Sequence, residues 1–169
     1  MTPHLWLHGA SHGDHNALQP IGARAHTNGY TLTLSAVTPA GRARAQALWP
    51  QAHHARPPLL WGAHRALHTH PLGPPRALLL ELLELWPHWS AAWGRAGVPQ
   101  VVVNGRVSPS TLHARPLLRA SFERLALFLA QTDLDAERAL YMGAHPERVC
   151  VCGNTKNHAA SAPPPRPLP

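Results

Sequence analysis

Short runs of hydrophobic residues alternate along the chain with segments in which apolar residues recur at spacings of three and four. The first run, 5–7, passes through a glycine-containing turn at 8–14 into such a helical period, so strand, turn and helix follow with almost no spacer. The same pattern predicts further strands at 30–37, 58–61, 76–83, 99–104, 125–131 and 148–152. Helices are predicted between them at 42–48, 87–97, 112–121 and 133–140. This alternation indicates an α/β fold with a doubly wound, parallel sheet of about seven strands.

The length of 169 residues suits one domain with a buried core and is too short for two domains of ordinary size. We assign 1–157 to that domain and predict a disordered, proline-rich tail at 158–169. Two glutamates, Glu81 and Glu84, interrupt the longest apolar run, and we find no signal-peptide pattern. The sequence therefore predicts no membrane span.

A formal net charge of +7 raises nucleic acid as a partner, but the residue pattern argues against it. Lysine occurs once, and the arginines are scattered among Ala, Pro and His without interleaved aromatic residues. The 14 histidines lack the spacing of a zinc site, so we expect no metal. The two cysteines, Cys150 and Cys152, fit a reducing compartment, and we expect them to be buried apolar fillers.

Polar residues follow the predicted strands, at the point where each strand ends. These residues are Asp14, Thr38, Glu84, Asn104, Arg106, Gln131 and Asn154. In open parallel sheets the carboxyl ends of the strands line the ligand crevice. Asp14 follows a glycine turn at the start of a helix, where a carboxylate suits either a helix cap or a general base. Both interpretations remain open from the spacing alone.

The segment 9–13 also matches the GxSxG nucleophile elbow of serine hydrolases, with Ser11 as the nucleophile. In that fold the elbow follows a central strand, whereas only eight residues precede the motif in this chain. The dinucleotide fingerprint and the P-loop are both absent from the sequence. A serine hydrolase is therefore a remote alternative.

Six short motifs occur in order between residues 5 and 156: HGASHGD, TPAGRARA, ELWPHW, NGRVS, AQTDLDAER and CGNTK. With these motifs the chain resembles the N-terminal domain of the 3-deoxy-D-manno-octulosonic acid (Kdo) transferases. The resemblance implies a Rossmann-like sheet equivalent to the N-terminal, acceptor-binding half of a GT-B glycosyltransferase. It implies transfer of Kdo from CMP-Kdo to lipid A or its precursor with inversion at the anomeric carbon, in lipopolysaccharide biosynthesis.

The resemblance also implies roles for individual residues. Asp14 takes the position of the catalytic base, which is a glutamate in the family. The residues implied on the acceptor side are Gly9, Ser11, Gly13, Thr38, Gly41, Glu84, Asn104, Arg106 and Ser108. Asn154 and Lys156 would face the donor half. No cofactor is implied, since CMP-Kdo is a substrate, and the implied location is cytoplasmic, with peripheral contact to the inner face of the cell membrane allowed.

Three departures from the family pattern bear most on activity. Aspartate at position 14 is shorter than glutamate by about 1 Å, a misplacement that can cost about a hundredfold in rate. Of the glutamate pair in ETELWP the chain keeps only Glu84, because Glu81 is one residue out of register and would point to the other face. The sequence also ends where the CMP-binding domain is expected.

From these departures we expect a split or truncated transferase that is inactive alone and needs a separate CMP-binding polypeptide. A non-catalytic remnant and a glycolipid-binding module are the alternatives.

Overall fold

A computed structural model of the chain describes residues 3–57, 65 and 69–155. The strands are β1 (His4–His8), β2 (Thr31–Ser35), β3 (His53–Ala55), β4 (Ala77–Glu81), β5 (Gln100–Gly105), β6 (Leu127–Ala130) and β7 (Val149–Val151). They form one seven-stranded sheet in the order β3-β2-β1-β4-β5-β6-β7, and every neighbouring pair is parallel. The predicted α/β fold with a doubly wound, parallel sheet is therefore confirmed.

The helices lie between the strands. They are α1 (His12–Thr27), α2 (Pro39–Leu48), α3 (Pro87–Arg95), α4 (Pro109–His113), α5 (Arg115–Glu123) and α6 (Asp133–Met142), with a 3-10 turn at Pro146–Arg148. Several begin with proline in the first turn, where its fixed φ suits a helix and its missing N–H costs nothing. Thr132 caps α6 by accepting a hydrogen bond from the backbone N–H of Asp135.

Two hydrophobic cores cover the two faces of the sheet. On one face Trp6 packs with Trp93 and Phe128 beneath α3, α5 and α6. On the other face Leu7 packs with Leu18 beneath α1 and α2. The consecutive residues Trp6 and Leu7 point into different cores because side chains alternate along a strand. Helices therefore cover both faces, as the doubly wound arrangement requires.

The crevice of the fold lies between β1 and β4 at the carboxyl edge of the sheet. These two strands are neighbours, yet β1 leads to α1 on one face whereas β4 leads to α3 on the other. The two loops consequently diverge at the topological switch point, where α/β folds form the groove that binds their ligands. The polar residues predicted at this edge follow the strands as expected.

Three local predictions differ from the structure. The third strand is His53–Ala55, whereas the predicted strand 58–61 lies outside the described residues. The predicted helix 112–121 is two helices that meet at Ala114, because Pro116 favours a new first turn. The expectation that Cys150 and Cys152 are buried is wrong: both are exposed, since β7 lies at the edge of the described sheet beside β6 and Cys152 directly follows β7.

The predicted tail, 158–169, also lies outside the described residues. Across residues 3–57 and 69–155, each helix is too short or too polar to cross a bilayer.

Candidate functional site

The turn after β1 brings Asp14 back onto the residue that precedes α1. Ser11 is the N-cap residue, and its backbone N–H and its Oγ–H both donate to Asp14 Oδ2 at 2.8 Å. Asp14 is only 5% exposed. A Cβ at Gly9 would lie 2.8 Å from the Asp14 Cβ, so this close approach requires glycine. The capping interpretation of Asp14 is therefore correct, and its use as a base remains a proposal.

The hydroxyl of Ser11 is not arranged as a hydrolase nucleophile. A serine nucleophile is activated by an adjacent general base, usually histidine, which removes its proton. Ser11 Oγ instead donates to the carboxylate that caps the helix. The geometry thus disfavours the hydrolase alternative.

A second turn, between β2 and α2, supports the first. The backbone N–H and the hydroxyl of Thr38 both donate to the carbonyl oxygen of Ala10, at 2.9 and 3.0 Å. The Gly41 N–H donates to Thr38 Oγ1, and a Cβ at Gly41 would come within 2.8 Å of the same carbonyl oxygen. Thr38 and Gly41 therefore hold the β1 turn against the start of α2. Gly13 lies half-buried in the first turn of α1.

Glu84 lies in the loop after β4, on the other side of the crevice. Its carboxylate accepts a hydrogen bond from Trp86 Nε1 at 3.1 Å and lies 3.9 Å from His8 Nε2. The facing His8 imidazole and the Trp86 N–H lower the pKa of Glu84, and outweigh the opposing effect of burial. With its side chain 25% exposed, Glu84 is a carboxylate that is kept ionised at the edge of the groove.

The sequence analysis missed His8, the last residue of β1. It is fully buried, its ring packs edge-on against Trp89 with centroids 4.8 Å apart, and its Nδ1 lies 2.8 Å from Ser35 Oγ. Burial is the main cause of a lowered pKa at the neighbouring His15, to which His8 adds and which Asp14 opposes. The available signal was position, because His8 ends a strand directly before the glycine turn.

Asn104 joins the ends of the strands on the far side of the crevice. Its side chain donates to Glu81 Oε1 at 2.8 Å and accepts from the Thr155 N–H at 3.2 Å, while its carbonyl accepts from Gln131 Nε2 at 3.0 Å. Its φ of 54° is left-handed, a conformation that asparagine tolerates better than most residues. Glu81 is 1% exposed in this network, so the two glutamates of the β4 end have different surroundings.

The remaining predicted residues that the structure describes lie along the same edge without joining one cluster. Arg106 is exposed, and Ser108 caps α4 by accepting from the Thr111 N–H at 3.3 Å. Asn154 donates to Gln131 Oε1 at 3.4 Å. Lys156 lies outside the described residues. In the part of the chain that the structure describes, His, Cys, Asp and Glu nowhere form a group of three that could hold a metal ion.

An open cavity of about 400 Å³ extends this edge toward β3. It lies at the ends of β2 and β3 beside the start of α2, and Arg42, Arg56 and His54 are among its lining residues. Two guanidinium groups give the cavity a basic wall, which suits an anionic group. The sequence analysis did not single out these arginines, because they are 14 positions apart and converge only through the β2–β3 pairing.

Solved structures share this fold. The chain matches a UDP-N-acetylglucosamine 2-epimerase with a TM-score of 0.67 and 9% identity, over 92% of this chain and 49% of that one. A second enzyme of this kind, from Neisseria meningitidis, matches with a TM-score of 0.66 and 12% identity, over 90% and 47% of the two chains. The described sheet is thus equivalent to one half of a GT-B-like protein.

Sequence relatives identify the family. The family profile described as 3-deoxy-D-manno-octulosonic-acid transferase matches residues 1–159. A 3-deoxy-D-manno-octulosonic acid transferase of Bordetella pertussis is 31% identical over 153 residues, 83% of this chain and 35% of the relative. One from Haemophilus influenzae is 25% identical over 162 residues, 90% and 37%. The chain thus spans little more than a third of these relatives, and it belongs to the Kdo transferase family, whose N-terminal domain it carries.

Proposed function

We propose that the chain supplies the acceptor-binding half of a glycosyltransferase that moves Kdo from CMP-Kdo to lipid A or its precursor. Family membership supports the reaction class, and the groove between β1 and β4 supports the place of binding. The observation that carries the proposal is Glu84, a partly exposed carboxylate kept ionised at that groove. An ionised carboxylate accepts hydrogen bonds from sugar hydroxyl groups, which is what an acceptor site requires.

In this proposal the charged side chains of the edge bind different parts of the acceptor. Glu84 accepts hydrogen bonds from the acceptor sugar. Arg42, Arg56 and the exposed Arg106 meet the phosphate groups of the acceptor, because guanidinium groups bind phosphate oxygens in a bidentate manner. Binding of glycolipid phosphate therefore accounts for the positive charge of this edge without a nucleic-acid partner.

Asp14 remains the proposed base, from its place in the first motif. Its Oδ2 already accepts two hydrogen bonds from Ser11, so the acceptor hydroxyl must replace at least one of them before its proton is taken. Asp14 is only 5% exposed, so its carboxylate must also become accessible to the acceptor hydroxyl. We therefore propose that any transfer is slow compared with a family member that has the longer glutamate.

Transfer also needs a donor-binding half. Asn154 follows β7 and, with Lys156, is proposed to face the CMP-binding domain. Because GT-B chemistry occurs between two halves, we propose that the 169-residue chain binds acceptor but transfers Kdo only when a CMP-binding half is supplied. The acceptor would be reached at the membrane surface.

A transfer assay tests this function. The full chain is incubated with labelled CMP-Kdo and a lipid A precursor, with and without the purified C-terminal half of the Bordetella pertussis relative. We expect labelled glycolipid only in the presence of that half, and loss of product in Glu84→Gln but not in Glu123→Gln, an exposed glutamate on α5. Saturable glycolipid binding that survives Asp14→Ala, with no transfer under either condition, would instead establish a binding module.

A further inference from the structure

A chain of buried polar groups connects the middle of β1 to Glu84. Trp6 Nε1 donates to Ser35 Oγ at 2.8 Å, and Ser35 Oγ lies 2.8 Å from His8 Nδ1. Trp6, Ser35 and His8 are 1%, 2% and 0% exposed. His8 and Ser35 are register partners on neighbouring strands, and Trp6 lies two residues before His8 on the same face. The sheet itself therefore holds these groups together.

The chemistry of the three groups assigns the proton on His8. An indole N–H can only donate, so Ser35 Oγ must accept from Trp6. The hydroxyl proton of Ser35 is then directed to His8 Nδ1, which acts as the acceptor. Neutral His8 consequently carries its own proton on Nε2, the nitrogen that faces Glu84.

The second nitrogen of His8, Nε2, faces the Glu84 carboxylate but is too far from it for a hydrogen bond. Among the described residues His8 Nε2 is buried and has no hydrogen-bond partner within bonding distance, and Glu84 Oε2 lies 3.9 Å away. A shift of the carboxylate by about 1 Å would form that hydrogen bond. His8 cannot make the shift because Trp89 packs edge-on against its ring, so the carboxylate is the partner that moves.

We propose that His8 is a positioning residue, which donates from Nε2 to Glu84 when acceptor occupies the groove and holds the carboxylate toward the acceptor hydroxyl groups. Among the described residues, His15 of α1 is a further titratable group near the ring, and Asp14 in turn influences His15. Both lie in the first turn of α1, so the imidazole lies between the start of that helix and the β4 loop. The identity of the bound sugar rests on the proposed function, whereas the proton assignment rests on the contacts alone.

Nuclear magnetic resonance of the full chain tests the proton assignment without any activity. Long-range nitrogen–proton correlations should show the Nε2–H tautomer of His8 at pH 7. In Ser35→Ala the acceptor nitrogen loses its donor, so we expect a mixture of tautomers and a higher midpoint for the titration of Glu84. Ser121→Ala, which removes an equally buried hydroxyl group from α5, should change neither. A wild-type Nδ1–H tautomer, or an unchanged signal in Ser35→Ala, would overturn the inference.

Acceptor binding then tests the positioning role. Titration with a lipid A precursor should show affinity about tenfold weaker in His8→Leu, which cannot donate. His8→Gln, whose amide N–H can reach a similar position, should recover most of that loss. Equal affinity of the wild type and His8→Leu would overturn the positioning role while the proposed function stands. If the wild type binds no acceptor but shows the expected tautomer and Ser35→Ala response, the proposed function and the positioning role both fail, and only the proton assignment on His8 stands.

Discussion

Lowering the pH from 7 to 5 should destabilise the fold by about 1 to 2 kcal/mol through one buried imidazole, His70. Its ring is 9% exposed and lies against the rings of His4, His53 and Trp6, with centroids 5.0, 4.6 and 5.3 Å away. Burial, with the neighbouring His53 and His4, lowers the pKa of His70 from 6.5 to about 4. The imidazole is therefore neutral in the folded protein at any pH near neutrality.

The hydrogen bonds of His70 explain why its protonation opposes folding. The Leu72 N–H donates to His70 Nδ1 at 3.2 Å, so His70 Nε2 carries the proton and faces Thr33 Oγ1 at 3.2 Å. A proton on Nδ1 would place two donors against each other.

The pKa of His70 is 6.5 in the unfolded chain and about 4 in the folded protein, and this difference sets the pH range and the size of the effect. As the pH falls below 6.5, the unfolded chain binds a proton at this residue before the folded chain does, so stability is lost between about pH 6.5 and pH 4. The 1.5 pH units from 6.5 to 5, at about 1.4 kcal/mol each, give an upper value of about 2 kcal/mol. Because water has partial access to the ring, we reduce the expected loss of stability to about 1 to 2 kcal/mol.

Urea unfolding at pH 7, 6 and 5 measures this effect. His70→Asn keeps a side-chain oxygen that can accept from Leu72 but does not titrate, so its free energy of unfolding should fall less between pH 7 and pH 5. His113→Asn changes an exposed histidine on α4 and should keep the wild-type slope. Equal slopes in the wild type and His70→Asn would refute the reasoning.

Three further substitutions and one control, Leu117→Ala, test the packing and the turn, each by chemical denaturation. Trp93→Ala should cost about 3 to 5 kcal/mol because Trp93 is fully buried, whereas Leu117→Ala, at a residue 69% exposed, should change stability by less than about 0.5 kcal/mol. Asp14→Ala should cost about 1 kcal/mol through loss of the cap on α1, with the same native circular dichroism. Gly105→Ala should destabilise the fold, since its Cβ would lie 2.5 Å from the Phe128 ring. Equal losses of stability in Trp93→Ala and Leu117→Ala would contradict the contacts described, and so would no loss of stability in Asp14→Ala or Gly105→Ala.

The strands were predictable where burial on both faces leaves a continuous apolar run. β4 (Ala77–Glu81) falls inside the predicted strand 76–83 for this reason. β3 (His53–Ala55) was not predictable, because three residues rich in histidine carry no strand pattern of their own. Its conformation comes from hydrogen bonds to β2, and a distant pairing of that kind leaves no local trace in the sequence.

The exposure of the cysteines was unpredictable for a related reason. Cys150 lies on a strand in either case, but whether that strand is central or at the edge depends on the order of the whole sheet. Local pattern specifies that a segment is extended, and the packing of remote elements decides what covers it.

The place of the candidate site was predictable, whereas its contacts were not. Because parallel strands end at one edge, residues that follow them were expected to lie there, and Asp14 and Glu84 do. The surroundings of Glu84 depend on registration between strands: His8 meets Ser35 from 27 positions away and lies 3.9 Å from Glu84 in the loop after β4. Asp14 was left with two interpretations for a different reason: a carboxylate in the first turn of a helix suits both a cap and a base, and only the hydrogen bonds from Ser11 showed the cap.

The most direct test of the account is a titration of the isotope-labelled full chain with deacylated lipid A, followed by amide chemical shifts. The account predicts saturable shifts at Gly9, Glu84 and Arg106, along the carboxyl edge between β1 and β5, and none at Asn28, which follows α1 at the opposite edge. Shifts centred on Asn28, or no saturable shift at the carboxyl edge, would contradict the claim that this groove binds the acceptor.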